Sequence, residues 1–212
     1  MEQTIVYNYD YEVINYPNCE KIAGFDEVGR GAIAGPIVVA AVILPLGFQS
    51  DLIKDSKQLS AKQREQAYKL IIEKALDYAI TIVDLKMIEK INPKQASIKG
   101  MEIAFKNLNL TPNVCLIDFE QPSFLNFQGI CQSLIKGDQK SLNIAAASIL
   151  AKVFRDRMMN DYHQYYPNYH FAKHKGYYTK IHADSLKKFG VSVIHRKTYQ
   201  PVKNMLNQNK SY

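Results

Sequence analysis

Residues 22–44 constrain this chain more than any other stretch; they read IAGFDEVGRGAIAGPIVVAAVIL. Two adjacent carboxylates, Asp26 and Glu27, end a short apolar run. A turn with Gly29, Gly31 and Gly35 follows, with Arg30 inside it. The run over residues 37–44 is apolar throughout, largely β-branched, and stops at Pro45. It is too short to cross a bilayer and suits a strand covered on both faces. The two runs lie close enough to pair as an antiparallel hairpin. Acid pairs seldom sit between buried strands unless something there binds the charge, and a divalent cation is the simplest candidate. One geometric difficulty follows. Neighbouring strand residues point to opposite faces, so Asp26 and Glu27 share a site only if the strand loses regularity there. Otherwise Glu27 faces away and pairs with a lysine or arginine. Pattern alone does not separate the two.

Residues 1–20 carry four tyrosines and little periodicity, which reads as an extended arm or an irregular edge strand. Ser60, with Gln63 three residues on, forms a capping box that opens a helix with an apolar stripe of Tyr68, Ile71, Ile72 and Ala75. Residues 78–85 alternate as a strand. Asn92 and Pro93 start a second helix, proline at its first position. Residues 114–118 form a buried strand ending on Asp118, and residues 130–135 form another. Ser141 opens a long helix, where Ala145, Ala146 and Ala147 are small enough to press against a sheet. Thr179 or Ala183 begins a last clear helix, which Gly190 closes. This order gives an α/β fold with a more helical C-terminal part.

At 212 residues, one domain is the expectation: a core of about residues 20–165 and a basic helical part of about 166–212. Cys19, Cys115 and Cys131 are too few and too scattered for a disulfide framework, which points to a reducing compartment, the cytoplasm. The first residues mix acids with tyrosines and lack the apolar core of a signal peptide. The net charge is +7, and residues 170–203 hold eight lysines and arginines against Asp184 alone. A basic segment mixed with tyrosines and histidines suits a phosphate backbone; a solvated lysine face is the plainer reading.

Asp26 and Asp118 end strands, where sites collect in open α/β sheets. Asp138 sits in a loop before the long helix. Carboxylates gathered together repel until a cation enters, and hard oxygen donors favour Mg²⁺ or Mn²⁺. The Gly29-Arg30-Gly31 tract is either a plain hairpin turn or a place where backbone approaches a ligand and Arg30 meets a phosphate. It is neither a dinucleotide fingerprint nor a Walker loop. His170 and His174 lack the companions of a zinc site, which leaves phosphate contacts or plain surface positions. Tyr177 either stacks on a sugar or base or is an ordinary partly buried tyrosine. Ser148 and Lys152, one helical turn apart, read as helix packing rather than a nucleophile pair.

Taken together, GFDEVGRGAIAGP, DSKQLS, CLID, IKGD, SLNIAAASILAKVFRDR and HKGYYT resemble bacterial ribonuclease HII, in the family's order and over nearly the whole chain. The resemblance implies a ribonuclease H-like fold: a central mixed sheet flanked by helices, with a helical C-terminal extension. It implies an endoribonuclease that hydrolyses the RNA strand of RNA–DNA hybrids and cuts 5′ of single ribonucleotides embedded in duplex DNA, leaving 5′-phosphate and 3′-hydroxyl ends. The implied mechanism is two-metal phosphodiester hydrolysis with Mn²⁺ or Mg²⁺. The family's four catalytic acids fall on Asp26, Glu27, Asp118 and Asp138, the first three being metal ligands. Its substrate-reading positions fall on Gly29, Arg30 and Gly31, on Tyr177, which stacks on the neighbouring deoxyribose, and on Lys57 as a backbone contact. The implied partners are hybrid and ribonucleotide-containing duplexes, met by a monomer with no membrane attachment. Two departures stand out. Phe119 and Glu120 follow the third acid where the family has glycine, and Phe154 replaces a threonine. Type HIII carries threonine at Arg30 and a separate N-terminal domain, so type HII is the closer pattern. The rivals are a non-catalytic nucleic-acid-binding protein on the same scaffold and a resolvase- or transposase-type nuclease, which would need neither the glycine turn nor the HKGY tract.

Overall fold

A computed structural model describes residues 10–124 and 126–208. Five strands form one sheet in the order β3-β2-β1-β4-β5. The hairpin expected from residues 22–44 is its centre: β1 (Ile22–Val28) pairs antiparallel with β2 (Ile37–Ile43), which pairs antiparallel with β3 (Asp77–Val83). On the other side β4 (Val114–Asp118) runs parallel to β1, and β5 (Ile130–Leu134) runs parallel to β4. The sheet is therefore mixed. Asp26 and Asp118 lie near the carboxyl ends of two adjacent parallel strands.

Helices cover both faces. Val38, Ala40 and Val42 of β2 face α2 (Ala61–Lys74) and α5 (Leu142–Tyr165). Ile37, Val39, Ala41 and Ile43 face the opposite core, which includes α3 (Leu85–Ile91) and α4 (Pro93–Lys106). The alternation of a two-sided strand is thus used in full. Ala145, Ala146 and Ala147 are wholly buried, as their size suggests. A Cβ on Gly24 would lie 2.1 Å from the Asn143 carbonyl carbon, so only glycine lets α5 sit this close to β1. Phe154 packs at the edge of the same core. The Ser60–Gln63 capping box forms at the start of α2, and Asn92 caps α4 with Pro93 in its first turn.

Several elements differ from the sequence reading. Residues 10–15 are helical, α1 (Asp10–Asn15), rather than an arm or strand; residues 1–9 lie outside the described residues. Glu12 explains the helix: its buried carboxylate accepts from Ser141 Oγ (2.6 Å) and Asn143 N (3.2 Å) at the start of α5. The third strand ends at Val83, because Asp84 caps α3 through Met87 N. After α6 (Phe171–His174), α7 (Lys180–Phe189) starts behind a Thr179 cap and stops at Gly190. A further helix, α8 (Gln200–Gln208), then follows, with Pro201 near its start. Ile33, Leu186 and Val202 form a small core that ties these helices to the glycine-rich loop.

Candidate active site

The β1 hairpin keeps its register through the acids: Asp26 pairs with Ala40, Glu27 with Val39 and Val28 with Val38. The strand does not break. The two carboxylates nonetheless line one cavity of about 390 Å³, shared with Asp118, Ser148, Lys57, Tyr177 and the Gly29–Gly31 turn. They reach it from opposite faces of the strand end. Asp26, 7% exposed, accepts from Glu27 N at 2.7 Å and from Ser148. Ser148 also meets Ser56 Oγ at 3.0 Å, so its place is in the site as well as in the packing of α5. Glu27 lies 3.2 Å from Arg30 Nη1. It pairs with an arginine, as the second reading of the sequence had it, but inside the cavity.

The electrostatics record the crowding. Burial, then the charges of Glu27 and Asp118, push Asp26 well above the usual carboxylate range. Burial also pushes Glu27 up to about 7, with Arg30 opposing and Glu120 and Asp118 adding to the rise. Asp118 is raised by burial and by Asp138, against the Gly137 N–H that its Oδ1 accepts at 2.7 Å. Three carboxylates in one cavity, each raised by burial and a neighbouring acid, have the chemistry of a hard divalent-cation site. As drawn, the side chains do not close on a common point: among the described residues no three histidine, cysteine, aspartate or glutamate side chains form a group able to hold a metal ion. The donor type fits; a bound ion would gather the carboxylates.

Asp138 and Lys57 come together. Lys57 Nζ donates to Asp138 Oδ2 at 3.0 Å, and that bond leads the rise in the lysine's pKa. Asp138 is 2% exposed and does not line the cavity, whereas Lys57 does.

The turn after the acids is held from behind. Gly29 has φ +92°, and a Cβ there would lie 2.1 Å from Arg155 Nε. A Cβ on Gly31 would meet nothing within 4 Å, so that glycine borders open space. Arg155 is wholly buried. It donates to Pro36 O (2.8 Å), Lys175 O (2.8 Å) and Ala34 O (3.1 Å), and its guanidinium lies 5.6 Å from the Tyr177 ring centre. Arg196, also wholly buried, donates to Gly35 O (2.8 Å) and Arg30 O (2.9 Å). Both arginines belong to quoted or basic segments, but neither was singled out. Arg155 was findable: it shares a helical stripe with Ile144, Ser148 and Ala151, and a charge on such a stripe is buried with α5. Arg196 carries no comparable signal.

Two further placements revise the sequence reading. His174 is 8% exposed rather than a surface or phosphate-facing residue; its ring bonds Tyr169 O at 2.8 Å and Gly176 N at 3.2 Å. His170 is exposed. Phe119 has φ +60°, the conformation that a glycine would adopt most easily, and is itself 60% exposed. Glu120 N donates back to Asp118 O at 2.7 Å across this tight turn. The turn brings Glu120, 3% exposed, onto Arg30 in a short ion pair.

Comparisons with known proteins agree with one another. A family model described as Ribonuclease HII matches residues 23–202. Ribonuclease HII of Mycoplasma mycoides subsp. mycoides is 46% identical over 198 residues, covering 93% of this chain and 95% of that protein. The Enterococcus faecalis protein of the same name is 49% identical over 185 residues, covering 87% and 71%. Among solved structures, the ribonuclease H2 of Pyrococcus horikoshii superposes with a TM-score of 0.79 at 25% identity, covering 91% of this chain and all of that one. Bst-RNase HIII in complex with Mn²⁺ shares the fold, with a TM-score of 0.64 at 19% identity, covering 91% and 71%.

Proposed function

The chain belongs to the ribonuclease HII family, metal-dependent endoribonucleases acting on RNA–DNA hybrids, and from that premise we propose that it cuts 5′ of single ribonucleotides embedded in duplex DNA, leaving 5′-phosphate and 3′-hydroxyl ends. The observation that carries this reading is the cavity itself: Asp26, Glu27 and Asp118 share it with the Gly29–Gly31 turn and Tyr177. Hydrolytic and sugar-facing groups therefore border one space, as cutting beside a 2′-hydroxyl requires.

Asp26, Glu27 and Asp118 would hold the ions, Mn²⁺ or Mg²⁺. Those ions would activate a water and stabilise the leaving 3′-oxygen. The protein's own groups do the rest. Asp138 holds Lys57 at the cavity rim, where its ammonium can meet a backbone phosphate. Gly31 leaves the turn's backbone open to a ribose hydroxyl, and Arg155 keeps that backbone from receding. Tyr177, 36% exposed, offers its ring to the neighbouring deoxyribose. Glu120 keeps the Arg30 side chain on the acid side, which leaves recognition at this turn to main-chain groups. We read residues 1–212 as one catalytic unit acting as a monomer. Its three cysteines are free, in keeping with the cytoplasm, and no described helix is long and apolar enough to cross a membrane.

The test is a duplex with one ribonucleotide, incubated with and without Mn²⁺ or Mg²⁺, the cut mapped at single-nucleotide resolution. One metal-dependent break on the 5′ side is expected. Cutting of all-DNA duplex, or cutting undiminished in chelator, overturns the proposal.

A further inference from the structure

Behind Tyr177 lies a second group of buried side chains that the hydrolytic chemistry does not use. His182 and His195 are wholly buried and their Nε2 atoms are 3.0 Å apart. Two ring nitrogens at that distance share one proton, and the neighbouring backbone decides which ring owns it. Ser192 N can only donate, and it points at His195 Nδ1 from 3.0 Å. His195 therefore carries its proton on Nε2. Tyr177 O can only accept, and it lies 2.9 Å from His182 Nδ1. His182 therefore carries its proton on Nδ1 and receives the His195 Nε2–H at Nε2. His195 Nδ1 also meets Ser192 Oγ at 2.7 Å, whose hydroxyl donates alongside Ser192 N, so every nitrogen is partnered with both rings neutral. His174 stacks on His182, ring centres 4.2 Å apart and planes 14° apart, and is fixed the same way: Nδ1 accepts from Gly176 N, and Nε2 donates to Tyr169 O.

This directed relay ends on the backbone of Gly176 and Tyr177. Gly176 O in turn accepts from Ile33 N (2.9 Å) and Ala34 N (3.3 Å), just past the glycine turn. An apolar trio would fill the same space without the desolvation cost of six ring nitrogens. What histidines add is direction.

We propose that His182 and His195, braced by His174, are positioning residues that fix the Tyr177 ring relative to the Gly29–Gly31 turn, and so set the preference for a DNA–RNA junction. This rests on the reading of Tyr177 as the sugar-stacking residue. Burial holds both His182 and His195 down to about 4, so the neutral relay persists throughout the neutral range.

Three measurements test it. In ¹⁵N–¹H spectra of the free protein, His182 should show a protonated Nδ1 and His195 a protonated Nε2; the opposite tautomers overturn the proposal. Next come two amide substitutions of similar polarity. His182→Asn places an N–H where Nδ1 stood and keeps the bond to Tyr177 O. His182→Gln reaches the Nε2 side and leaves that carbonyl without its imidazole donor. The ratio of kcat/KM on a single-ribonucleotide duplex to that on a uniform RNA–DNA hybrid should stay near wild type in His182→Asn. It should fall by about 10-fold in His182→Gln, within the range expected of a small misplacement. Equal ratios in the two variants overturn the relay. Tyr177→Ala, run alongside, separates the two readings: if it leaves the ratio unchanged the stacking role fails, whereas if it lowers the ratio while Asn and Gln behave alike only the relay fails.

Discussion

Asp26 and Arg155 stand on either side of the same glycine turn. Both are buried and both belong to a charged residue type, yet their surroundings are opposite. Asp26 is surrounded by other acids and is driven toward its neutral form. Among the described residues no acid is hydrogen-bonded to Arg155, but three backbone carbonyls take its N–H groups. Burial brings it down only to about 10, so it stays charged. The acid end is an unfinished electrostatic arrangement, unfavourable until a cation joins it. The arginine end is complete as it stands and acts as internal scaffolding. A site that must accept an ion and also measure a sugar needs both: one region that gains by binding and one that does not move when binding occurs.

The comparison breaks most visibly at Asp26. Asp26→Asn should lower cleavage by about 10³-fold, several kcal/mol of lost transition-state stabilisation. It should also raise the free energy of unfolding measured in chelator by roughly 1 kcal/mol, because the repulsion among the acids goes with the charge. A drop in stability alongside the drop in rate would mean that the acid end is not strained.

Arg155→Leu should do the reverse. It leaves three buried carbonyls without donors and should cost roughly 3–5 kcal/mol in urea unfolding, whether or not divalent cation is present. A loss under 1 kcal/mol would remove the scaffolding role.

Acid should reach the scaffold through the histidines. Their folded-state pKa values, about 4, lie below the ordinary 6.5. Between those values the unfolded chain binds more protons than the folded one. The stability they contribute is therefore present above pH 6.5 and lost as pH falls toward 4, by about 2–3 kcal/mol for each ring at pH 4.5. In His195→Gln, which removes one titrating ring, the dependence of stability on pH across that window should flatten.

The smallest effect is expected at Phe119. With φ at +60° and an exposed ring, Phe119→Gly should stabilise by about 1 kcal/mol and leave the Glu120–Arg30 pair in place. Destabilisation would show that the phenylalanine ring has a partner that outweighs its backbone.

The same division governs what the sequence disclosed. The acid end was legible in part, because carboxylates at strand ends leave a local mark: Asp26 and Asp118 were placed by position, Glu27 joined them only through the family resemblance, and the cavity brings all three together. The β1–β2 hairpin and the caps of α2 and α4 were legible for the same reason, since each is written within a few neighbouring residues. Elements set by distant partners were not. α1 depends on Glu12 reaching α5; the reading of strand as far as Leu85, by contrast, missed a local signal, the Asp84 cap of α3. α8, with Pro201 near its start, carried a readable stripe in Val202, Met205 and Leu206, but a short one in a polar tail. Arg196 acts on Gly35 and Arg30, far away in the chain, and no local window contains both ends of such a bond; the histidine relay closes within residues 169–195, but no periodic pattern marks it. Glu27 shows the limit from the other side. The register said that it points away from Asp26, and it does leave by the other face, but its longer side chain returns to the cavity around the strand end.

The strap across the glycine loop sets an order of events. Arg196 N donates to Ile33 O, Gly35 N to Ile194 O, and Ala34 bridges His195, while Arg196 Nη1 spans 166 positions to reach Arg30. The acids are all in hand once synthesis passes Asp138, but the loop beside them acquires its last fastenings nearly sixty residues later. During translation, the acid end is thus complete in sequence before the turn beside it can be fully fastened. Closure of that strap, across 166 positions, is a long-range step that loop-closure entropy makes late.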